Sequence, residues 1–221
     1  MISVAIDGPA GAGKSSISRK VSEKLGFIYV DTGALYRSIG YTLDSMGIKS
    51  TETEKLSEAL KKTEIDIIFV DGVQHVTVNG EDVSDKIRTA KVSMLASEYS
   101  AIPEVRAYLL GLQRKMAEEH NCIMDGRDIG TVVLPNATVK IFLTADPEDR
   151  ARRRYEEMLE KGMEADYNDV LEDIKKRDYN DSHRAVAPLK PSEDSILVNT
   201  TGNTFEQSVE LLGNIITEAI K

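Results

Sequence analysis

Ile2-Ser3-Val4-Ala5-Ile6-Asp7-Gly8-Pro9-Ala10-Gly11-Ala12-Gly13-Lys14-Ser15-Ser16-Ile17, continuing to Leu25, reads as an apolar strand that runs into a glycine-rich loop and then a helix. Gly8, Gly13, Lys14 and Ser15 satisfy the pattern G-x-x-x-x-G-K-[ST], whose loop cradles phosphate. Gly8, Gly11 and Gly13 permit positive φ and close approach of the backbone, so successive N–H groups can turn toward an anion. The helix opens at the same place, and its free N–H groups and positive dipole end face that anion. Lys14 supplies a point charge for outer phosphates, and the Ser15 hydroxyl a ligand for Mg²⁺. A glycine turn that merely joined strand to helix would not need this chemistry. The flanks agree with the motif: Ile2, Val4 and Ile6 alternate, while Ile17, Val21 and Leu25 share one helix face.

The remaining composition narrows the class. A chain of 221 residues with 41% hydrophobic and 29% charged residues suits one α/β domain with insertions, and excludes disordered and fibrous classes. No apolar run approaches the roughly 18 residues that span a bilayer, and the amino terminus has no signal-peptide pattern, so a cytoplasmic protein is expected. A net charge of -9 argues against a nucleic-acid surface. Any anion site must be local. Cys122, alone of its type and set in an apolar run, reads as packing, and His75, His120 and His183 lack metal-ligand spacing.

Further along, Phe27–Val30 predicts a second strand, and Asp31, Thr32 and Arg37 follow it at a carboxyl end beside the phosphate loop. Asp31-Thr32-Gly33 also suits a helix cap. Residues 63–90 change character: two extended runs, then Asn79-Gly80, the strongest short hairpin signal, predict an antiparallel insert. Helices are expected over Thr89–Ser100 and Pro103–Glu119, the latter burying Val105, Tyr108, Leu109, Leu112 and Met116 and turning Arg106 and Arg114 to its other side. Asn121–Met124 is a strand that ends in Asp125-Gly126-Arg127-Asp128, where Asp125 is placed to hold a metal, directly or through water, and Arg127 and Asp128 to contact a second substrate.

Asp146-Pro147-Glu148-Asp149 starts a helix with Asp as cap. Arg150, Arg153 and Arg154 share one of its faces, and a second helix carries Arg177, Asp181 and Arg184 at i, i+4 and i+7. The two, over residues 150–184, read as a mobile lid. Thr204 and Gln207 form a capping box for a final helix with Phe205, Val209, Leu212, Ile216 and Ile220 inward. Arginines in so many places imply a grip on more than one phosphate-bearing molecule, hence phosphoryl transfer between two bound substrates. A guanine-reading N-K-x-D is absent, which speaks against a GTPase. A small kinase for another acceptor, such as shikimate or the dephospho form of coenzyme A, and a nucleotide-binding regulator stay open at this point.

Four motifs together, Gly8–Lys14, Asp31-Thr32-Gly33-Ala34-Leu35-Tyr36-Arg37, Asp125-Gly126-Arg127-Asp128-Ile129-Gly130-Thr131 and Arg184-Ala185-Val186-Ala187-Pro188-Leu189, resemble bacterial cytidylate kinases over essentially the whole chain. The resemblance implies a parallel-sheet P-loop kinase core with helices on both faces, an enlarged monophosphate-binding β insert and a helical lid, as one domain over 1–221. It implies ATP with Mg²⁺ as donor and CMP and dCMP as acceptors; separately, a monomer is expected because no long apolar surface stripe is left unassigned. The loop Gly8, Pro9, Ala10, Gly11, Ala12, Gly13, Lys14, Ser15 and Ser16 would bind ATP, with Ser15 preferred as metal ligand although relatives often carry Gly-Thr at 15 and 16. Thr32, where many relatives have Ser, with Arg37, Arg127 and Arg184 would surround the CMP phosphate and ribose. Ser97, Arg106 and Asp128 would read cytosine, Arg177 and Asp181 hold the sugar, and Arg153 and Arg154 close on the ATP phosphates. Lys14, Arg127, Arg153 and Arg154 are the catalytic set.

Overall fold

A computed structural model describes residues 1–221. Its centre is a five-stranded parallel sheet of β1 (Ser3–Asp7), β2 (Ile28–Asp31), β6 (Cys122–Gly126), β7 (Val139–Thr144) and β8 (Ile196–Asn199), in the order β2-β6-β1-β7-β8. Both faces of such a sheet are buried, which is why its strands read as continuous apolar runs. The alternation still sorts side chains. Val4, Ile6, Ile123, Ile141 and Leu143 point to one face, under α1 (Lys14–Leu25) and α8 (Phe205–Ala219), where Ile17, Val21, Leu212 and Ile216 are fully buried. Ala5, Val30, Cys122 and Met124 point to the other, under α2 (Thr32–Ser45) and α5 (Pro103–Glu119).

The insert is a three-stranded antiparallel sheet of β3 (Ile65–Val70), β4 (Val73–Val78) and β5 (Glu81–Asp82). Asn79-Gly80 makes its second turn with φ of 50° and 81°, as the dipeptide predicts, and Asp71-Gly72 makes the first with 50° and 77°. Its inward residues Ile65, Ile67, Val76 and Val78 join the same apolar cluster as Val30 and Leu35, so the insert shares its core with the main sheet. α3 (Thr53–Lys62), with Leu56, Ala59 and Leu60 buried, has no counterpart among the expected elements. α4 (Ala90–Tyr99) and α5 bridge back to the sheet, and Pro103 stands at the first turn of α5 as expected.

α6 (Pro147–Glu160) and α7 (Tyr167–His183) form a hairpin over the carboxyl end of the sheet and pack through Ala151, Val170 and Ile174. Some local expectations differ. Asp146 occupies the cap position of α6 without a side-chain cap bond, whereas Asp166 caps α7 through the N–H groups of Asn168 and Asp169. α7 stops at His183, so Arg184 lies on extended backbone rather than one turn further along the helix. Thr204 and Gln207 make the full capping box, but Phe205 is 46% exposed; Val209, Leu212 and Ile216 are buried in the core, with Ile220 partly buried against them. No helix is long and apolar enough to cross a membrane.

Candidate active site

Register brings the chemistry together. Ile6 and Asp31 both stand opposite Asp125, so Asp31 and Asp125 share one level, with Asp7 one residue further along, at the carboxyl ends of three adjacent strands, where ligands collect in open parallel sheets. Above them lies a cleft of about 900 Å³. It is lined by Ala10 through Ser16 of the phosphate loop and by Thr32, Arg37, Ser97, Arg106, Asp125, Arg127, Asp128, Arg153, Arg154, Arg177, Asp181 and Arg184. Every expected site residue except Gly8 and Pro9 therefore faces one space.

Gly8 serves the loop differently. With φ of +153° it lies against β7, and a Cβ there would sit 1.9 Å from the carbonyl oxygen of Leu143, which only glycine avoids. Lys14 is buried, and its Nζ donates to the Pro9 carbonyl at 2.8 Å. Burial, with Arg127 and Arg177 adding repulsion, holds its ammonium well below the usual lysine range. The Ser15 hydroxyl donates to Asp125 Oδ2 at 2.7 Å, and the Tyr29 hydroxyl donates to Oδ1 at 2.9 Å. Burial pushes the Asp125 carboxyl up and Asp31 adds to it, while Lys14 and the two hydroxyls oppose. A serine hydroxyl touching a carboxylate is a hard-oxygen pair that suits Mg²⁺, and Ser15 is the serine so placed.

At the start of α2, Thr32 donates its hydroxyl to the Asp125 carbonyl at 2.7 Å. Asp31 does cap α2: Oδ1 accepts from the Ala34 N–H at 3.0 Å, and Oδ2 pairs with Arg37 Nη2 at 2.7 Å. Arg127 Nε donates to Asp181 Oδ2 at 2.7 Å. Asp128, buried, stands between two guanidinium groups, paired with Arg106 through Oδ2 and with Arg184 through Oδ1 at 3.2 Å. Arg106 is thus not on the outer side of α5. It is 8% exposed, held inward by Asp128, the Ser100 carbonyl and the Tyr36 ring. Arg114 caps the carbonyl oxygens of Val132 and Val133 instead.

In the helical hairpin, Arg150 leaves the face it was expected to share. It is 3% exposed and donates to the carbonyl oxygens of Ala145 and Ala10 and to Asp178, whose other oxygen accepts from the Ala10 N–H. One ion pair therefore grips the phosphate loop by both sides of a single residue. Arg153 pairs with Asp149 and donates to the Thr200 carbonyl, and Arg154 pairs with Glu157. Burial and the neighbouring Arg127 lower the Arg177 guanidinium from its ordinary range.

Sequence reasoning missed Asp7, Tyr29 and Asp178, and with Asp178 the inward role of Arg150. Asp7 is buried and accepts from the N–H groups of Ile129 and Gly130 at 2.8 and 2.7 Å, pinning the π-helical turn Ile129–Val133 behind Asp128. Its position at the last residue of a strand, next to the loop, was the available signal. Of the loop Thr200–Asn203 after β8, only Asn203 lines the cleft, together with Thr204, Phe205 and Ser208. Cys122 is fully buried, and burial pushes its thiol up to about 11.

The cytidylate kinase family profile matches residues 4–218. A cytidylate kinase of Caldicellulosiruptor saccharolyticus is 52% identical over 209 residues, covering 95% of this chain and 92% of the relative. One of Caldicellulosiruptor bescii is 47% identical over 220 residues, covering 100% and 97%. Among solved structures, an uncharacterized protein from Eubacterium ventriosum superposes with a TM-score of 0.54 at 14% identity, covering 98% of this chain and 99% of the other, a likeness of fold alone. Matched from end to end at about half identity, the chain belongs to the cytidylate kinase family.

Proposed function

We propose that this chain transfers the terminal phosphoryl group of ATP to the phosphate of CMP and dCMP, giving CDP and dCDP. The observation that supports it best is that two cationic clusters share one cleft. Lys14 and the phosphate loop stand on one side, and Arg37, Arg127 and Arg184 on the other. Burial first, and then repulsion from the neighbouring Arg127, lowers both Lys14 and Arg177. A polyanion between them relieves that repulsion. The loop amides and Lys14 bind the donor phosphates, and Arg153 and Arg154 exchange their carboxylate partners for those phosphates as the hairpin closes. Mg²⁺, held by Ser15 and by Asp125 directly or through water, would add positive charge at the transferring phosphates.

Arg37, Arg127 and Arg184, with Thr32, hold the acceptor phosphate in line with the donor, and Arg177 and Asp181 the sugar. Such positioning and charge stabilisation supply most of the acceleration in phosphoryl transfer. Asp128, with Ser97 and Arg106, reads the base: the cytosine 4-amino group donates, whereas uracil presents an acceptor there. The protein works as a cytoplasmic monomer on small molecules, consistent with its net charge of -9. ADP release from Mg-ATP with CMP, dCMP, UMP, AMP, GMP and no acceptor tests the reading. Turnover confined to CMP and dCMP is expected. Turnover with a different acceptor, or ATP binding without ADP release, would refute it.

A further inference from the structure

The three strands of the insert do not enter the cleft, since no residue between Arg37 and Ala90 lines it. They reach the site by another route. β2 is the free edge of the main sheet, and an edge residue presents an N–H and a C=O with no neighbouring strand to pair them. The carboxamide of Gln74, on β4, closes on those two groups of Asp31: Oε1 accepts from the Asp31 N–H at 2.7 Å, and Nε2 donates to the Asp31 carbonyl oxygen at 3.3 Å. One side chain does here what a paired strand would do.

What hangs on Asp31 makes this clamp consequential. Its Oδ1 caps α2 through Ala34, and its Oδ2 holds Arg37 at 2.7 Å. Behind Arg37 lies a second cavity, about 320 Å³, lined by Gln74, Asp31, Tyr29, Arg19, Arg88 and Arg37 itself. Arg37 Nε is buried without a hydrogen-bond partner. No hydrogen bond therefore fixes the guanidinium at Nε, and Asp31 is the group that aims it. We infer that Gln74 is a positioning residue for the acceptor nucleotide: the insert acts on the acceptor phosphate through Gln74, the Asp31 peptide and Arg37. This deepens the proposed function, because it takes Arg37 as a contact to that phosphate.

Two readouts test it, on Gln74→Met, which keeps the length of the side chain without its polar atoms, and on Gln74→Ala. By NMR, hydrogen exchange of the Asp31 amide should quicken at least about tenfold in both variants, because its hydrogen bond is gone. In initial-rate kinetics, KM for CMP should rise about tenfold while KM for ATP stays put, the signature of a misplaced acceptor grip. Unchanged exchange at Asp31 overturns the clamp. Faster exchange with both KM values moving together overturns the positioning role and leaves Gln74 a structural strut. The exchange readout needs no substrate, so a wrong acceptor, seen as a parent enzyme inert toward CMP, is told apart from a wrong clamp.

Discussion

Asp128 offers the sharpest test of the site because its two ion pairs bear on stability and its proposed reading of the base bears on selectivity. Its carboxylate is almost fully buried and serves two arginines at once, Arg106 through Oδ2 and Arg184 through Oδ1. Arg106 has one further hydrogen bond, to the Ser100 carbonyl at 3.1 Å, and sits 5.4 Å from the Tyr36 ring. Asp128→Ala strands two buried guanidinium groups beside each other without a counter-charge. Removing one partner of a buried ion pair costs about 3–5 kcal/mol. Against a total stability of about 5–15 kcal/mol that is a large share. In a chain of this length it corresponds to a melting temperature lower by roughly 6–20 °C.

Asp128→Asn is the companion, because it keeps the shape and one acceptor while its amide N–H groups face arginine donors. If the carboxylate reads the cytosine amino group, the ratio of kcat/KM for CMP over UMP should fall by about tenfold or more, the worth of one buried acceptor left mismatched. KM for ATP should not follow. Circular-dichroism melts and initial rates with both nucleotides at saturating ATP measure the two effects. A parent-like selectivity ratio in Asp128→Asn would remove the base-reading role, and a melting temperature within about 1 °C of the parent in Asp128→Ala would contradict the energetics of the buried triad.

Four further outcomes are expected. Gly8→Ala forces a Cβ to within 1.9 Å of the Leu143 carbonyl oxygen, so titration with an ATP analogue should show no binding; parent-like affinity would disprove the packing of loop on β7. Arg150→Met leaves Asp178 unpaired and frees the Ala10 carbonyl, so KM for ATP should rise well beyond KM for CMP, and equal shifts would refute the brace. At pH 8 the native protein should consume no thiol reagent, because burial lifts Cys122 to about 11, whereas the unfolded chain should react fully. Burial likewise raises the Asp7 carboxyl from 3.8 to about 6, against the pull of the Gly130 and Ile129 amides, so its ¹³C resonance should titrate near that value. Because the folded state then binds the proton more tightly than the unfolded chain, the stability Asp7 contributes is fully present below 3.8 and is lost as pH rises through about 6. Asp7→Asn should flatten the pH dependence of melting across that window.

How much of this was legible depends on the range of the interaction. The phosphate loop, the Asn79-Gly80 turn, Pro103 in the first turn of α5 and the Thr204/Gln207 capping box are set within a few residues, and each stands where its chemistry places it. The parallel core and the strand-end carboxylate Asp125 followed from apolar runs that end in charge. Contacts across long separations were hidden. Arg106 looks like a surface residue on its helix until Asp128, from another strand end, turns it inward. Arg150 shares spacing with Arg153 and Arg154, yet the Ala10 peptide and Asp178 draw it under the hairpin. Gln74 carries no local mark at all, since its meaning lies in an edge strand more than forty residues away.

The carboxylates beside these arginines explain how a chain of net charge -9 keeps an anion site. Arg37, Arg127, Arg184 and Arg153 are each held by an acid: Asp31, Asp181, Asp128 and Asp149. Unpaired, so many cations around one cleft would repel each other and the cleft would open. Paired, they stay aimed inward, but under the proposed function each shares or gives up its acid when a phosphate arrives, so part of the attraction is spent before binding begins. The same acids therefore set a ceiling on nucleotide affinity while preserving the geometry that transfer needs. Neutralising one that is given no substrate contact, for example by Asp149→Asn beside Arg153, should tighten binding of the ATP phosphates and slow turnover as ADP is released more slowly. A variant with weaker binding and unchanged kcat would show instead that the pairing attracts substrate rather than holding the cation in reserve.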